Sequence, residues 1–148
     1  MKYIYLLLPF TIGIALTAQA AINGQLRTAM NSPLLATLIS FLVGTILLVA
    51  IFFISNQSIP SVSQMTSVKW HTYTGGVLGA FIVMAVIVSI RNVNPSTLFA
   101  LIVAGQLITA IIFEHYGLLG VKVDSISWYK ISGLLLLVVA VYLLNKKS

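Results

Sequence analysis

Five long apolar segments run through the chain, and they constrain its fold more than any other feature. They cover residues 3–22, 34–55, 73–90, 96–113 and 128–145. A helix of about 18 to 22 residues is roughly 27–33 Å long, which matches a hydrocarbon core of about 30 Å. Because a backbone in lipid must satisfy its own hydrogen bonds, each segment is predicted to be helical. We therefore predict an all-α membrane protein with five transmembrane helices.

The composition excludes a water-soluble domain of the same length. Of the 148 residues, 59% are hydrophobic and 7% are charged, and the mean hydropathy is +1.08. So few charged side chains cannot cover a water-facing surface, whereas lipid covers apolar faces directly. We expect residues 1–148 to form a single multi-pass membrane domain whose main partner is the lipid bilayer.

The start of the chain also resembles a secretory signal peptide. Lys2 precedes an apolar run that leads to Ala18-Gln19-Ala20, a pattern typical of a cleavage site. Four further apolar segments indicate a protein that spans the membrane several times rather than a secreted one. We therefore expect the first segment to be retained as a transmembrane helix.

Lysine and arginine are distributed evenly between the two sides of this predicted five-helix topology. One side carries Lys2, Lys69, Lys122 and Lys130, and the other carries Arg27, Arg91, Lys146 and Lys147. The positive-inside rule sets orientation through an excess of Lys and Arg on the cytoplasmic side, and no such excess exists here. The balance predicts a chain that inserts in both orientations and pairs with an inverted copy of itself.

The formal charge of +6 does not indicate nucleic-acid binding. The basic residues stand singly at the ends of the apolar segments, and no basic run is longer than the pair at 146 and 147. A nucleic-acid footprint requires basic residues clustered on one face. Interfacial anchoring of helix ends is the expected role of these side chains.

The residues also favour no enzymatic chemistry. Cysteine is absent, which excludes disulfides and thiolate ligands, and His71 and His115 both lie at segment boundaries without the spacing of a metal site. No G-x-S-x-G sequence and no Walker A sequence is present. We predict no catalytic residue, no metal and no cofactor.

Small residues recur at the spacing that lets transmembrane helices approach closely. Gly75 and Gly79 form a GxxxG pattern in the third segment, overlapped by Gly76 and Ala80. Packing within one subunit is the ordinary interpretation of such pairs. A dimer contact is the alternative for one of them.

Three amide side chains stand out inside the apolar segments. Gln106 lies about 15 Å along the fourth helix, near the bilayer midplane, where an unpaired amide costs several kcal/mol. Gln19 and Asn23 share one face of the first helix because they are four residues apart. These amides are candidate substrate-binding or translocation residues, and hydrogen bonding between helices is the alternative interpretation.

Glu114 is the only glutamate, about 12 Å beyond Gln106 along the same helix. Its ordinary interpretation is an interfacial carboxylate at the end of a loop. The alternative is a proton-coupling residue that releases a proton when substrate binds, with His115 beside it.

Taken in order, these residues resemble the YdcZ family, formerly a domain of unknown function. The resemblance rests on the following motifs: Gln19-x-x-x-Asn23-x-x-Leu26, Gly75-Gly76-x-x-Gly79-Ala80, Gly105-Gln106-Leu107 and Glu114-His115-x-Gly117. It covers almost the whole chain, including the five-helix count. Family members usually carry aspartate where Glu114 stands, so the charge is retained.

The resemblance implies a member of the drug/metabolite transporter superfamily, in the bacterial cytoplasmic membrane, with five helices that form half of a ten-helix bundle. It implies a secondary transporter of a small organic molecule that works by alternating access, as an antiparallel homodimer or with a paired paralogue. Two alternatives remain at this point. The first is a non-transporting membrane subunit of a larger complex, and the second is a small passive channel.

Overall fold

A computed structural model describes residues 4–146, and it describes side chains from residue 7 onward. Within this range the chain is helical with no strand. The helices are α1 (Ile4–Met30), α2 (Pro33–Ile54), α3 (Val62–Ser67), α4 (Gly75–Ser89), α5 (Pro95–Tyr116) and α6 (Trp128–Asn145). Five helical segments are long and apolar enough to cross a membrane, and α3 is not among them. The predicted fold class is confirmed.

The first helix extends well past the end of its apolar segment. It continues to Met30, whereas the sequence predicted an end at residue 22. Polar side chains lower the hydropathy of residues 23–30, but they are compatible with a helical backbone. The drop in hydropathy after residue 22 therefore does not coincide with the end of the helix. The break comes at Asn31, which has a positive φ of 50°, and Ser32 then caps α2 by accepting a hydrogen bond from the Leu35 backbone N–H.

The fifth helix likewise ends later than predicted, at Tyr116 rather than residue 113. Gly117 ends it in the left-handed region, with φ of 63°. A Cβ placed on Gly117 would lie 2.8 Å from Val123 Cγ2, so both the backbone conformation and the space available require glycine here.

The stretch between the second and third spans contains a short helix, α3, which lies outside the five predicted segments. Ser61 and Gln64 form a capping box at the start of α3, because the Ser61 N–H donates to Gln64 Oε1 over 2.9 Å and the Gln64 N–H donates to Ser61 Oγ over 3.3 Å. A 3₁₀ turn, Trp70–Thr74, then leads directly into α4.

The chain divides into two compact units, Met1–Arg91 and Asn92–Ser148. In the first unit, α1, α2 and α4 pack against one another pairwise. In the second unit, α5 and α6 pack together as a helical hairpin. A single domain over residues 1–148 stays a prediction.

The carboxyl-terminal halves of α1 and α4 meet closely in the first unit. Arg27 Nη1 donates to Ile87 O over 2.9 Å and to Val88 O over 3.2 Å, so this guanidinium caps the last turn of α4. A Cβ on Gly24 would lie 3.3 Å from Ile90 Cγ2, which shows how tightly the two helices approach. Because the carboxyl-terminal ends of α1 and α4 meet, these two helices run parallel, and α2 runs antiparallel to them.

The predicted small-residue face of α4 is only partly engaged within the first unit. A Cβ on Gly79 would lie 3.8 Å from Phe41 Cζ of α2, an ordinary contact distance. Gly75 and Gly76 have open space beside them, and Ala80 is exposed. A packing role for Gly75, Gly76 and Ala80 stays a prediction, and the tight approach in this unit is at Gly24.

Two basic residues used in the charge count, Lys2 and Lys147, lie outside the described residues, as does the predicted start of the first helix at residue 3.

Candidate functional site

An open groove of about 490 Å³ lies along α1 and α2 in the first unit. Six apolar side chains line most of it, among them Ala18, Ile22 and Val43. The remaining three lining residues are polar: Gln19, Asn23 and Ser40.

The level of this groove in the membrane follows from the helix lengths. Gln19 lies about 18 Å from the start of the spanning segment Leu7–Met30, which is close to its middle. Asn23 is about 10 Å from the end of α1, and Ser40 is about 10 Å from the start of α2. Because α1 and α2 are antiparallel on either side of the turn at Asn31, Asn23 and Ser40 lie at the same depth.

The polar groups of the groove lack partners among the described residues. Asn23 is 5% exposed, yet its side chain makes no hydrogen bond within residues 7–146, and neither does that of Gln19 or Ser40. The same helices contain hydroxyls that are satisfied, because Thr17 donates to Gly13 O over 3.0 Å and Thr37 donates to Pro33 O over 2.8 Å. An amide as buried as Asn23 normally has a partner.

No charged side chain lines the groove. Arg27 is one helical turn beyond Asn23, but its guanidinium is held by the carbonyls of Ile87 and Val88. The groove is therefore a neutral, largely apolar surface with two amides and one hydroxyl available for hydrogen bonding.

Gln106, the predicted midplane amide, belongs to the second unit. It lies about 16 Å from the start of α5, near the middle of the spanning segment Pro95–Tyr116. Its side chain is exposed and makes no hydrogen bond within the described residues. The structure thus brings Gln19 and Asn23 together in one groove and leaves Gln106 unpartnered on α5.

Glu114 lies in an ion-paired cluster at the turn of the α5–α6 hairpin. Lys130 Nζ is 2.7 Å from Glu114 Oε2 and 2.8 Å from Asp124 Oδ2, and it also donates to Asp124 O over 3.2 Å. The Asp124 N–H donates to Glu114 O over 2.9 Å, which fixes the loop to the end of α5. Lysine at position 130 therefore engages both acidic residues of the chain.

This geometry favours the interpretation of Glu114 as a carboxylate that holds a loop. Its partner is Lys130, on the next helix, rather than the adjacent histidine. The His115 ring instead stacks edge to face on Tyr116 with centroids 4.7 Å apart, and its Nδ1 is buried with no partner among the described residues.

Sequence reasoning missed Ser40 as a groove residue and Lys130 as the partner of Glu114. Ser40 and Asn23 stand at the same distance from Asn31 along the chain, to within one residue, and this is the signal that would have paired them. Lys130 and Glu114 are 16 residues apart with a loop between them, so no short-range spacing connects them.

Comparisons with known proteins agree with the membrane architecture. The family described as "Putative inner membrane exporter, YdcZ" matches residues 4–143. The chain is also 32% identical over 136 residues to the inner membrane protein YdcZ of Escherichia coli (strain K12), an alignment that covers 92% of this chain and 91% of that protein. No solved structure matches the chain. With its five candidate spans, the chain is a multi-pass protein of the bacterial inner membrane.

Proposed function

The chain belongs to the YdcZ family, and from that membership we propose that it is a secondary transporter that moves a small organic molecule by alternating access. The observation that carries the proposal is the groove of α1 and α2, in which Asn23 is only 5% exposed and has no hydrogen-bond partner among the described residues. An unpaired amide in a membrane span is costly unless a ligand or another chain satisfies it. Membership of a family described as an exporter points to transport rather than to catalysis.

The transporting form in this proposal is an antiparallel dimer of two inverted copies. Two features support it: the even division of basic residues between the two sides, and the exposed Gln106 in the middle of α5. Inverted copies present equivalent polar groups from both chains around one midplane site, as inverted repeats do in larger transporters. Exchange between two equivalent states then opens the site to each side in turn. A paired paralogue of opposite orientation serves equally as the partner.

The role of Glu114 in this mechanism depends on whether its ion pair with Lys130 is open or closed. Proton coupling through its carboxylate requires the ion pair with Lys130 to open during the transport cycle. With the pair closed, Glu114 fixes the hairpin that carries Gln106.

Reconstituted protein tests the transport function with a mixture of candidate substrates. Proteoliposomes loaded with a small-molecule extract of bacterial cells are diluted, and the released compounds are identified by mass spectrometry. We expect release of a defined subset that saturates with concentration and is reduced at least about tenfold in Asn23→Leu and in Gln106→Leu. Thr45→Val is the matched control, because Thr45 is an exposed hydroxyl on α2 outside the groove.

Unchanged release in the folded Asn23→Leu and Gln106→Leu variants would remove both amides from the mechanism. Flux that never saturates would favour the passive channel. Activity found only when a larger protein co-purifies at a fixed ratio would favour the non-transporting subunit.

The inverted dimer has a separate test. Reporters that are active on one side of the membrane, fused to the carboxyl terminus, are expected to give signal on both sides, and one added lysine at either end is expected to shift the ratio. Signal from only one reporter would contradict the homodimeric form and leave the oppositely oriented paralogue.

A further inference from the structure

We infer that the groove of α1 and α2 binds an uncharged amphipathic molecule, with a hydrogen-bonding group at the level of Asn23 and an apolar body along the rest of the groove. This inference rests on the proposed transport function for its purpose, but it concerns the chemistry of the ligand.

The charge of the ligand follows from where the ionised groups of the chain lie. The groove contains no titratable side chain. Both carboxylates of the chain, Glu114 and Asp124, are bound to Lys130 in the second unit, and the Arg27 guanidinium is bound to the carbonyls of α4. An ion placed in this apolar groove would lose its hydration without gaining a counter-charge, which strongly disfavours binding.

The polar part of the ligand is indicated by the unpaired amide. Asn23 carries two donors and a carbonyl acceptor, is 5% exposed, lines the groove, and makes no side-chain hydrogen bond among the described residues. An acyl chain from the bilayer cannot pair with it. An amide, hydroxyl or carbonyl group can, and Gln19, one turn deeper on the same face, and Ser40, across the groove, add two more hydrogen-bonding positions.

The apolar part follows from size and lining. A groove of about 490 Å³ is within the range of about 300–1,000 Å³ typical of small-molecule sites. Six of its nine lining residues are aliphatic, so most of a bound molecule contacts hydrocarbon. Neutral amides and alcohols with a hydrocarbon body meet both conditions.

The experiment uses the absence of cysteine from the chain, which makes Ser40→Cys the only thiol of that variant. The full-length variant is reconstituted in liposomes and modified with methyl methanethiosulfonate, a small uncharged reagent. Three probes of one shape are compared as protectants at neutral pH: 4-phenylbutanamide, 4-phenylbutylamine as its cation, and 4-phenylbutanoate as its anion. Thr45→Cys, exposed on α2 and outside the groove, reports non-specific partitioning into lipid.

We expect the neutral amide to slow modification of the Ser40→Cys thiol at least about fivefold and that of the Thr45→Cys thiol less than about twofold. We expect the two charged probes to give less than about twofold protection at either position. Addition of Asn23→Leu to Ser40→Cys is expected to abolish protection by the amide.

Protection by the cation or the anion equal to that by the amide would overturn the neutral ligand and leave transport intact. Absence of protection by every probe, or equal protection at both thiols, would overturn the groove as a binding site. A Ser40→Cys thiol that is unreactive before any probe is added, while the Thr45→Cys thiol reacts, would show that the groove does not admit a small neutral molecule, which also overturns it. Protection that persists while the reconstituted protein releases nothing would support the site and contradict only the proposed transport.

Discussion

Loss of the hydrogen bonds by which Arg27 caps α4 is expected to lower the free energy of unfolding, by an amount that can be worked out from the structure. Arg27→Met keeps most of the length of the side chain but removes both hydrogen bonds to the carbonyls of Ile87 and Val88. The Ile87 carbonyl belongs to the last turn of α4, where helical carbonyls no longer have an amide donor four residues ahead. The substitution is therefore expected to loosen α1 from α4.

The magnitude is set mainly by the shorter bond. A hydrogen bond from a charged donor contributes about 1.5–3 kcal/mol, and the 2.9 Å bond to Ile87 O is partly buried. The 3.2 Å bond to Val88 O is exposed and adds little. The interaction of the cation with the helix dipole adds about 0.3–1 kcal/mol. Arg27 itself is half-buried, which reduces the sum, so we expect a loss of about 2 kcal/mol, or roughly 30-fold in the unfolding equilibrium.

The measurement is unfolding of the purified protein in mixed micelles of dodecyl maltoside and sodium dodecyl sulfate, followed by far-ultraviolet circular dichroism. Arg91→Met is the matched control, because Arg91 carries the same charge near the same end of α4, is exposed, and makes no side-chain hydrogen bond among the described residues. It is expected to change the free energy of unfolding by less than about 0.5 kcal/mol. Arg27→Lys is expected to fall between the two, since one ammonium cannot reproduce the planar fork of guanidinium donors.

Equal losses for Arg27→Met and Arg91→Met would refute this reasoning, because the effect would then come from charge near the helix end and not from the two hydrogen bonds. A wild-type free energy in Arg27→Met would refute it as well.

Two further pairs of substitutions test the remaining contacts by the same unfolding measurement. Lys130→Met is expected to destabilise the α5–α6 hairpin, because the carboxylates of Glu114 and Asp124 then lie close together without a cation. Adding Glu114→Gln to Lys130→Met removes one of the two charges and is expected to recover part of the lost free energy of unfolding. No recovery would contradict the ion-pair cluster. Gly24→Leu is expected to cost about 1–3 kcal/mol by overpacking against Ile90, while Gly76→Leu, which has open space, is expected to be neutral or mildly stabilising. Similar losses at both glycines would show that the α1–α4 contact does not limit stability.

Two of the three polar residues of the groove could be placed on one helix face from local spacing. Gln19 and Asn23 share a helix face because four residues make about one turn, and the structure places both in the same groove. Ser40 was not predicted there, because its position depends on where α1 ends and how the turn at Asn31 reverses the chain. The predicted end at residue 22 followed hydropathy, which reports contact with lipid, whereas the helix ends where backbone geometry changes.

The sequence by itself determined that this chain has five membrane spans and where the polar side chains stand along them. Both properties are local: the backbone must be helical in lipid, and a hydrophobic segment of sufficient length spans the membrane. Only the tertiary structure decided which of those polar groups are satisfied. Arg27 and Lys130 find partners on other helices, whereas Asn23 is buried and finds none among the described residues. That difference depends on how helices approach one another, because a hydrogen bond forms only within about 3.5 Å, and residue spacing along one helix does not fix distances to another.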